Sequence, residues 1–329
     1  MKIVRLSRFT LLLLGSFLSV ASPAQDFSNN EQLQTFIQEM SEKHNFDTDR
    51  LRRLFANSRL HQSIIDAISR PAESKPWHDY RPIFVTHSRT SGGVRFWREH
   101  RDALQRAEEK FGVPPQIITA IIGVETRYGR HAGGYPVLDA LATLAFAYPP
   151  RSSFFRRELE QYLLMTREEG LDPLEQTGSY AGAMGMPQFI SSSFRRYAID
   201  FDGDGKRDLW RNPDDVIGSV ANYFYEHHWK PGQPIAHKVK VHGKKYRQLL
   251  DDDLQASHTQ QQLLDNGVIL PRDIPRDLKG NLLELETDNG PEYWVTWHNF
   301  YVISSYNHSA LYSMAVYQLS ELIAAARNN

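Results

Sequence analysis

The chain has 329 residues, 41% hydrophobic and 23% charged, with 38 Lys and Arg against 39 Asp and Glu. These are ordinary globular values, so wholesale disorder is excluded, and the even charge balance excludes a dominant positive field of the kind nucleic acids attract. There is no cysteine, which excludes disulfides and the acylated N-terminal cysteine of a lipoprotein.

The chain opens with an export pattern. Lys2, Arg5 and Arg8 precede an apolar run from Phe9 to Val20, and Ala21-Ser22-Pro23-Ala24 then offers small residues for cleavage after Ala24. The run is short for a membrane span of roughly 20 residues, so a cleaved signal over 1–24 is expected rather than a stable anchor. Loss of its three cations takes the formal net charge from −1 to −4.

From 25 to 91 the sequence predicts an N-terminal helical region and a connector. Leu33, Phe36, Ile37 and Met40, then Leu51, Leu54 and Phe55, recur at helical spacing. Arg70 to Ser91 carries Pro71, Pro76, Trp77, Tyr80 and Pro82 and reads as extended. A helical core is expected over 92–230, with helices at 96–111, 114–127, 137–147, 154–169 and 213–228. A small β-rich insertion follows over 231–300, with strands at 236–241, 268–270, 282–286 and 293–296. Asn266-Gly267, Lys279-Gly280 and Asn289-Gly290 supply its turns. The C-terminal segment, 301–329, returns to a helix with Leu311, Met314, Leu319 and Ile323 on its stripe. The expected fold class is mainly α with a small inserted β domain.

Gly112 to Gly129 is the most informative stretch. Pro114 and Pro115 suit a helix start, where the first amides have no intrahelical partner. Glu125 follows Ile118, Ile121 and Ile122 by seven, four and three residues, which places it on their apolar face. Desolvation there raises a carboxyl's pKa, as a general acid requires. The other reading of this helix is a structural Glu paired with Arg127, Arg130 or another Arg. A second segment, Gly178 to Phe189, is rich in Gly and small residues. Either it admits a ligand close to its backbone, with Ser179, Tyr180, Gln188 and Phe189 as sugar-binding groups, or Gly182 and Gly185 form a tight helix crossing.

Four motifs in order carry a resemblance. Val124 to Gly129, Ser179 to Phe189, Ile217 to Phe224 and Tyr306 to Ser309 resemble the B-type membrane-bound lytic murein transglycosylases, and the likeness runs from about Phe27 to Ala325. It implies a lysozyme-like helical core with a flanking helical region. It also implies cleavage of the β-1,4 bond between N-acetylmuramic acid and N-acetylglucosamine, leaving 1,6-anhydromuramoyl ends, with the peptidoglycan glycan strand as partner; the export pattern and the absence of cysteine make a periplasmic, non-lipidated protein the expectation. Position by position, Glu125 takes the single acid/base role, and Ser179 orients the N-acetyl group or the Glu. Met184, Gln188, Phe189, Tyr223, Tyr306 and Asn307 take groove positions, joined by Tyr80. Arg151 matches one Arg of a family pair whose other member is Pro150 here.

No catalytic cofactor is expected. Asp200, Asp202, Asp204 and the Lys206 carbonyl match the start of a calcium loop, with Arg211 where the usual Glu stands. The resemblance makes Asp215 the closing ligand, with Asp214 second, so a structural Ca²⁺ is expected; the bare alternative is an Asp/Gly turn. Asp139, before a helical run, reads as its cap rather than as a second carboxylate. Glu226-His227-His228 lacks zinc-protease spacing, and Tyr293, Trp294, Trp297 and Tyr301 suit a β core as well as a sugar platform. Two other functions stay open at this point: a muramidase on the same fold, using an activated water, and a non-catalytic peptidoglycan-binding protein.

Overall fold

A computed structural model describes residues 27, 30–69, 75–250, 253–272 and 274–328. The export segment lies outside them. Three short N-terminal helices come first, α1 (Glu31–His44), α2 (Thr48–Ala56) and α3 (Gln62–Ile68). Asn30 and Asp47 cap the first two by accepting from the amides of Leu33 and Arg50. The stripe of Leu33, Phe36, Ile37 and Met40 is buried as expected.

The connector is not extended over its described residues, 75–91. It holds α4 (Trp77–Phe84), and α5 (His87–Glu99) starts before the expected core boundary at 91/92. Pro82 inside α4 disfavours the helix locally, but Trp77 and Tyr80 are buried against Phe300 and Met314, and that burial holds it. The single helix expected over 96–111 is also two, because the chain turns at His100 between α5 and α6 (Arg101–Phe111).

The central helix is α7 (Pro115–Thr126), followed by α8 (Val137–Ala147), α9 (Ser152–Glu168), α10 (Ser191–Tyr197) and α11 (Pro213–Glu226). Two-residue strands β1 (Tyr135–Pro136) and β2 (Thr177–Gly178) pair beside α8. Helices α5, α6, α11 and α14 (Ala310–Asn328) pack around α7. One buried cluster runs from Phe27 through Ile118 to Ile323, so the N-terminal helices share a core with the central ones.

Asp139 does not cap α8. It lies inside the first turn, buried, where its oxygens take the Arg59 amide at 3.1 Å and His61 Nε2 at 2.8 Å. It fastens α3 to the core.

The insertion forms a sheet in the order β4-β3-β6-β5, all antiparallel, from β3 (Ala236–Val241), β4 (Val268–Ile269), β5 (Asn281–Thr287) and β6 (Gly290–Thr296). Helix α12 (Gln260–Asp265) precedes β4. The β5–β6 hairpin closes with Thr287 opposite Gly290. One sheet face builds its own core from Val239, Leu282, Val295 and Trp297. The other presents Ala236 and Leu285 to α4 and α14, where they join Trp77, Tyr80 and Met314. The expected boundary at 300/301 falls inside α13 (His298–Ser304).

Candidate active site

Glu125 is the penultimate residue of α7. Ile118, Ile121 and Ile122 are buried as its spacing required, but so is nearly every other residue of the helix, because neighbours surround it. The apolar face is thus not one face. Glu125 retains some exposure at the end where α7 emerges. The helix stops there because Arg127 and Tyr128 both adopt positive φ, 51° and 63°. These are uncommon values for non-glycine residues, and they turn the chain out of the helix. Tyr128 anchors the turn by donating to the Arg89 carbonyl at 2.7 Å. Its hydroxyl fills the space over Gly123, where a Cβ would come within 2.5 Å of it.

Burial lifts the Glu125 carboxyl to about 7, and the Tyr312 hydroxyl, which donates to Oε1 at 2.5 Å, works against that rise. Among the described residues no ion pair forms to Glu125. Arg127 and Arg130 are exposed, and Asp139 is engaged with His61. Tyr306 also faces Glu125, whose charge adds to burial in raising the Tyr306 and Tyr312 hydroxyls well above their ordinary range.

The Ser179–Phe189 segment forms the adjoining wall. It doubles back on itself, with Met184 paired to both Gly178 and Phe189. Ser179 Oγ accepts the amides of Ala181 (3.3 Å) and Ala183 (3.0 Å), which leaves its own proton free to donate. Gln188, at φ 53°, donates its amide to the carbonyls of Ala132 and Gly185. Gly182 and Gly185 have positive φ, and a Cβ on them would collide with Leu141 and the Leu209 carbonyl. Those two glycines serve close packing rather than ligand approach. Thr126 donates to the Met186 carbonyl at 2.9 Å and ties the wall to α7.

Phe189, Tyr223 and Tyr306 meet at centroid distances of 4.8 to 5.9 Å. Tyr306 donates to the Pro187 carbonyl and Tyr223 to the Ser305 carbonyl. Asn307 follows Tyr306, half-buried. Tyr80 is not on an open wall: it is 1% exposed, in the layer behind Tyr312, whose hydroxyl it also perturbs. Arg151 stands apart, exposed, with its guanidinium over Phe154 and Phe155. Sequence reasoning missed Tyr312. Its signal was a tyrosine in register with Val316, Leu319 and Ile323, a polar tip on a buried stripe.

In the acidic loop, one oxygen from each of Asp200, Asp202 and Asp204 lies within 4.8 Å of the others. Asp200 accepts the amides of Gly203, Asp204 and Gly205, which curls the loop around that point. Asp215 is fully buried and its two oxygens take the amides of Phe201 and Asp208, both at 2.8 Å. Asp214 instead pairs with Arg106 at 2.7 Å. The oxygen-only donor set fits a hard cation such as Ca²⁺. Of the four aromatics with two readings, Trp297 is β core, Tyr293 meets Tyr246, Trp294 meets Tyr317, and only Tyr301 is exposed.

Comparison with known proteins gives a consistent picture. The profile of the Transglycosylase SLT domain matches residues 28–321. Membrane-bound lytic murein transglycosylase B of Escherichia coli (strain K12) is 43% identical over 312 residues, 92% of this chain and 85% of that one. The crystal structure of soluble lytic transglycosylase SltB1 from Pseudomonas aeruginosa superimposes with a TM-score of 0.86 at 48% identity, covering 91% of this chain and all of that one. Escherichia coli lytic transglycosylase Slt35, solved in complex with calcium, gives 0.85 at 42% identity, covering 93% and 96%.

Proposed function

The chain belongs to the SLT-domain lytic transglycosylases, and from that premise we propose that it cleaves peptidoglycan glycan strands between N-acetylmuramic acid and N-acetylglucosamine, with Glu125 as its only acid/base. The observation that carries this reading is the isolation of Glu125: a carboxyl lifted to about 7 by burial, met by Tyr312, with no second carboxylate acting on it among the described residues.

A carboxyl of that pKa still holds its proton near neutrality and can give it to the leaving glycosidic oxygen. As it ionises, the Tyr312 hydroxyl stabilises the new carboxylate. The carboxylate then takes the proton of the muramic C6 hydroxyl as that oxygen attacks C1. The attack is intramolecular, so proximity replaces an activated water. Ser179, with its proton free, orients the N-acetyl group. Gln188, Tyr306 and Asn307, which keep some exposure, face the strand, while Met184, Phe189 and Tyr223 are buried and pack the wall from within, with Tyr80 behind Tyr312. Arg151, exposed over Phe154 and Phe155, stands away from that wall.

Most glycosidases need a second carboxylate as nucleophile or base, so the isolation of Glu125 favours the lyase over a muramidase. Digestion of purified sacculi, with the released ends identified by mass, tests this. Anhydromuramoyl ends are expected; reducing ends would make the protein a hydrolase, and no release would leave only a binder.

The acidic loop is proposed to hold a structural Ca²⁺ through Asp200, Asp202, Asp204 and the Lys206 carbonyl; Asp215, expected as the closing ligand, instead fastens the loop through the amides of Phe201 and Asp208 and lies outside the carboxylate cluster. A cation there relieves carboxylate repulsion and takes no part in the proton transfers. The segment 1–24 is proposed to direct the protein to the periplasm. No helix among the described residues is long and apolar enough to cross a membrane.

A further inference from the structure

A strand face turned toward the body of a protein normally carries apolar side chains, and the inward face of this sheet does so only in part. Ala236 and Leu285 on that face are buried against α4 and α14. Further along the same face, Lys238 stands opposite Trp294 in the ladder, and Lys240 and Glu292 continue it two residues on along each strand. Lys238 and Lys240 are exposed, and Lys238 pairs with Glu292. The sheet and α4 diverge here, leaving a cleft of about 1010 Å³. Arg81 and His78 line it from α4, Trp294 from β6. Arg81 is held by Gln318 at 2.7 Å, and Trp294 Nε1 donates to Glu292 at 3.3 Å, so both are fixed in place. His78 Nδ1 is buried with no hydrogen-bond partner.

We propose that this cleft between the inserted sheet and α4 is a second binding site, and that it takes the peptide stem of peptidoglycan. The proposal rests on the wall-cleaving function above for the choice of polymer. The chemistry comes from the lining. Arg81 and Lys240 suit carboxylates, Lys238 and Glu292 form a paired charged rim beside them, and Trp294 gives an apolar flank. A short peptide carrying several carboxylates matches Arg81 and Lys240, whereas an uncharged sugar chain uses none of the charges. Helix α4 borders this cleft through His78 and Arg81 and also carries Tyr80, which lies behind Tyr312.

The test measures binding without turnover, so it does not depend on Glu125. Full-length mature protein carrying Glu125→Gln is titrated calorimetrically with the free diaminopimelate-containing tetrapeptide, and separately with glycan oligomers stripped of peptide. The same titrations are made with Arg81→Glu and Lys240→Glu added. Peptide binding weakened tenfold or more by the charge reversals, with glycan binding unchanged, is the expected result. A melting curve shows that the variant is folded, and Lys240→Gln alone, with an intermediate loss, provides a milder second reading. Absence of peptide binding at millimolar concentration, equal peptide affinity in the two proteins, or loss of glycan binding in the reversed one overturns the proposal. None of these results bears on whether sacculi are cleaved, so the two readings fail separately.

Discussion

Glu125 has a hydroxyl rather than a cation as its partner, and this sets its behaviour. Glu125→Gln is expected to lower activity by about 10²–10⁴-fold, because the amide cannot deliver a proton; turnover of sacculi by a folded variant at the wild-type rate would remove Glu125 from the mechanism. The linked stability follows in sign. The folded carboxyl titrates near 7 against an ordinary 4.5, so folding favours its protonated form. The contribution of Glu125 to stability is therefore greatest below about pH 4.5, falls as pH rises through that window, and levels off above pH 7. The Gln variant lacks this decline and should be as stable as wild type, or more so, at pH 7 in urea melts. Tyr312→Phe removes a hydrogen bond to a charged group, a contribution of about 1.5–3 kcal/mol. Its kcat should drop about tenfold to a hundredfold with KM little changed. The hydroxyl also lowers the Glu125 pKa, so the alkaline limb of the activity profile should move to higher pH. An unshifted limb with undiminished kcat would make Tyr312 mere packing.

Two local devices couple elements across the chain. Asp139 joins α3 to α8 through His61 and the Arg59 amide. Asp139→Asn weakens a buried, charge-assisted contact and is expected to cost about 1–3 kcal/mol in denaturant unfolding while leaving cleavage intact. A fully folded variant with no activity would revive Asp139 as a second carboxylate. The acidic loop joins α10 to α11, where Asp215 clamps both ends of the loop by backbone amides. Without a cation the three carboxylates oppose one another. Calcium at 100 times its dissociation constant should add about 2.7 kcal/mol, and weak sites of roughly 10⁻⁴–10⁻³ M call for millimolar calcium. The melting temperature should fall on chelation and recover better with calcium than with magnesium. Asp200→Ala with Asp204→Ala should abolish the difference. Identical wild-type melts in chelator and calcium would leave only an acidic turn.

At the scale of the whole molecule, the apolar run from Phe9 to Val20 makes export an expectation open to test. Expression in a bacterial host should give a mature chain beginning at Gln25, recovered in the periplasmic fraction and read by N-terminal sequencing. Retention of residues 1–24 in the membrane fraction would make the segment an anchor instead. Within the sequence alone, α7, α8, α9 and α11 were legible because each repeats apolar residues at a helical period, and β3 to β6 because short apolar runs alternate with Asn-Gly and Lys-Gly turns. Glu125, the groove motifs and the acidic loop were legible because each is a local string of residue types. What the sequence left open depends on distant partners. Helix α4 exists despite Pro82 because Trp77 and Tyr80 find Phe300 and Met314 more than 200 positions away. The turn at His100 has no Gly or Pro to announce it. Tyr312 reaches Glu125 across 187 positions, and no periodicity specifies which hydroxyl will end beside which carboxylate. Local propensity acts over a few residues; the identity of the acid's partner, the use of Gly182 and Gly185 as packing contacts and the charged cleft beside the sheet arise only when the helices close around α7.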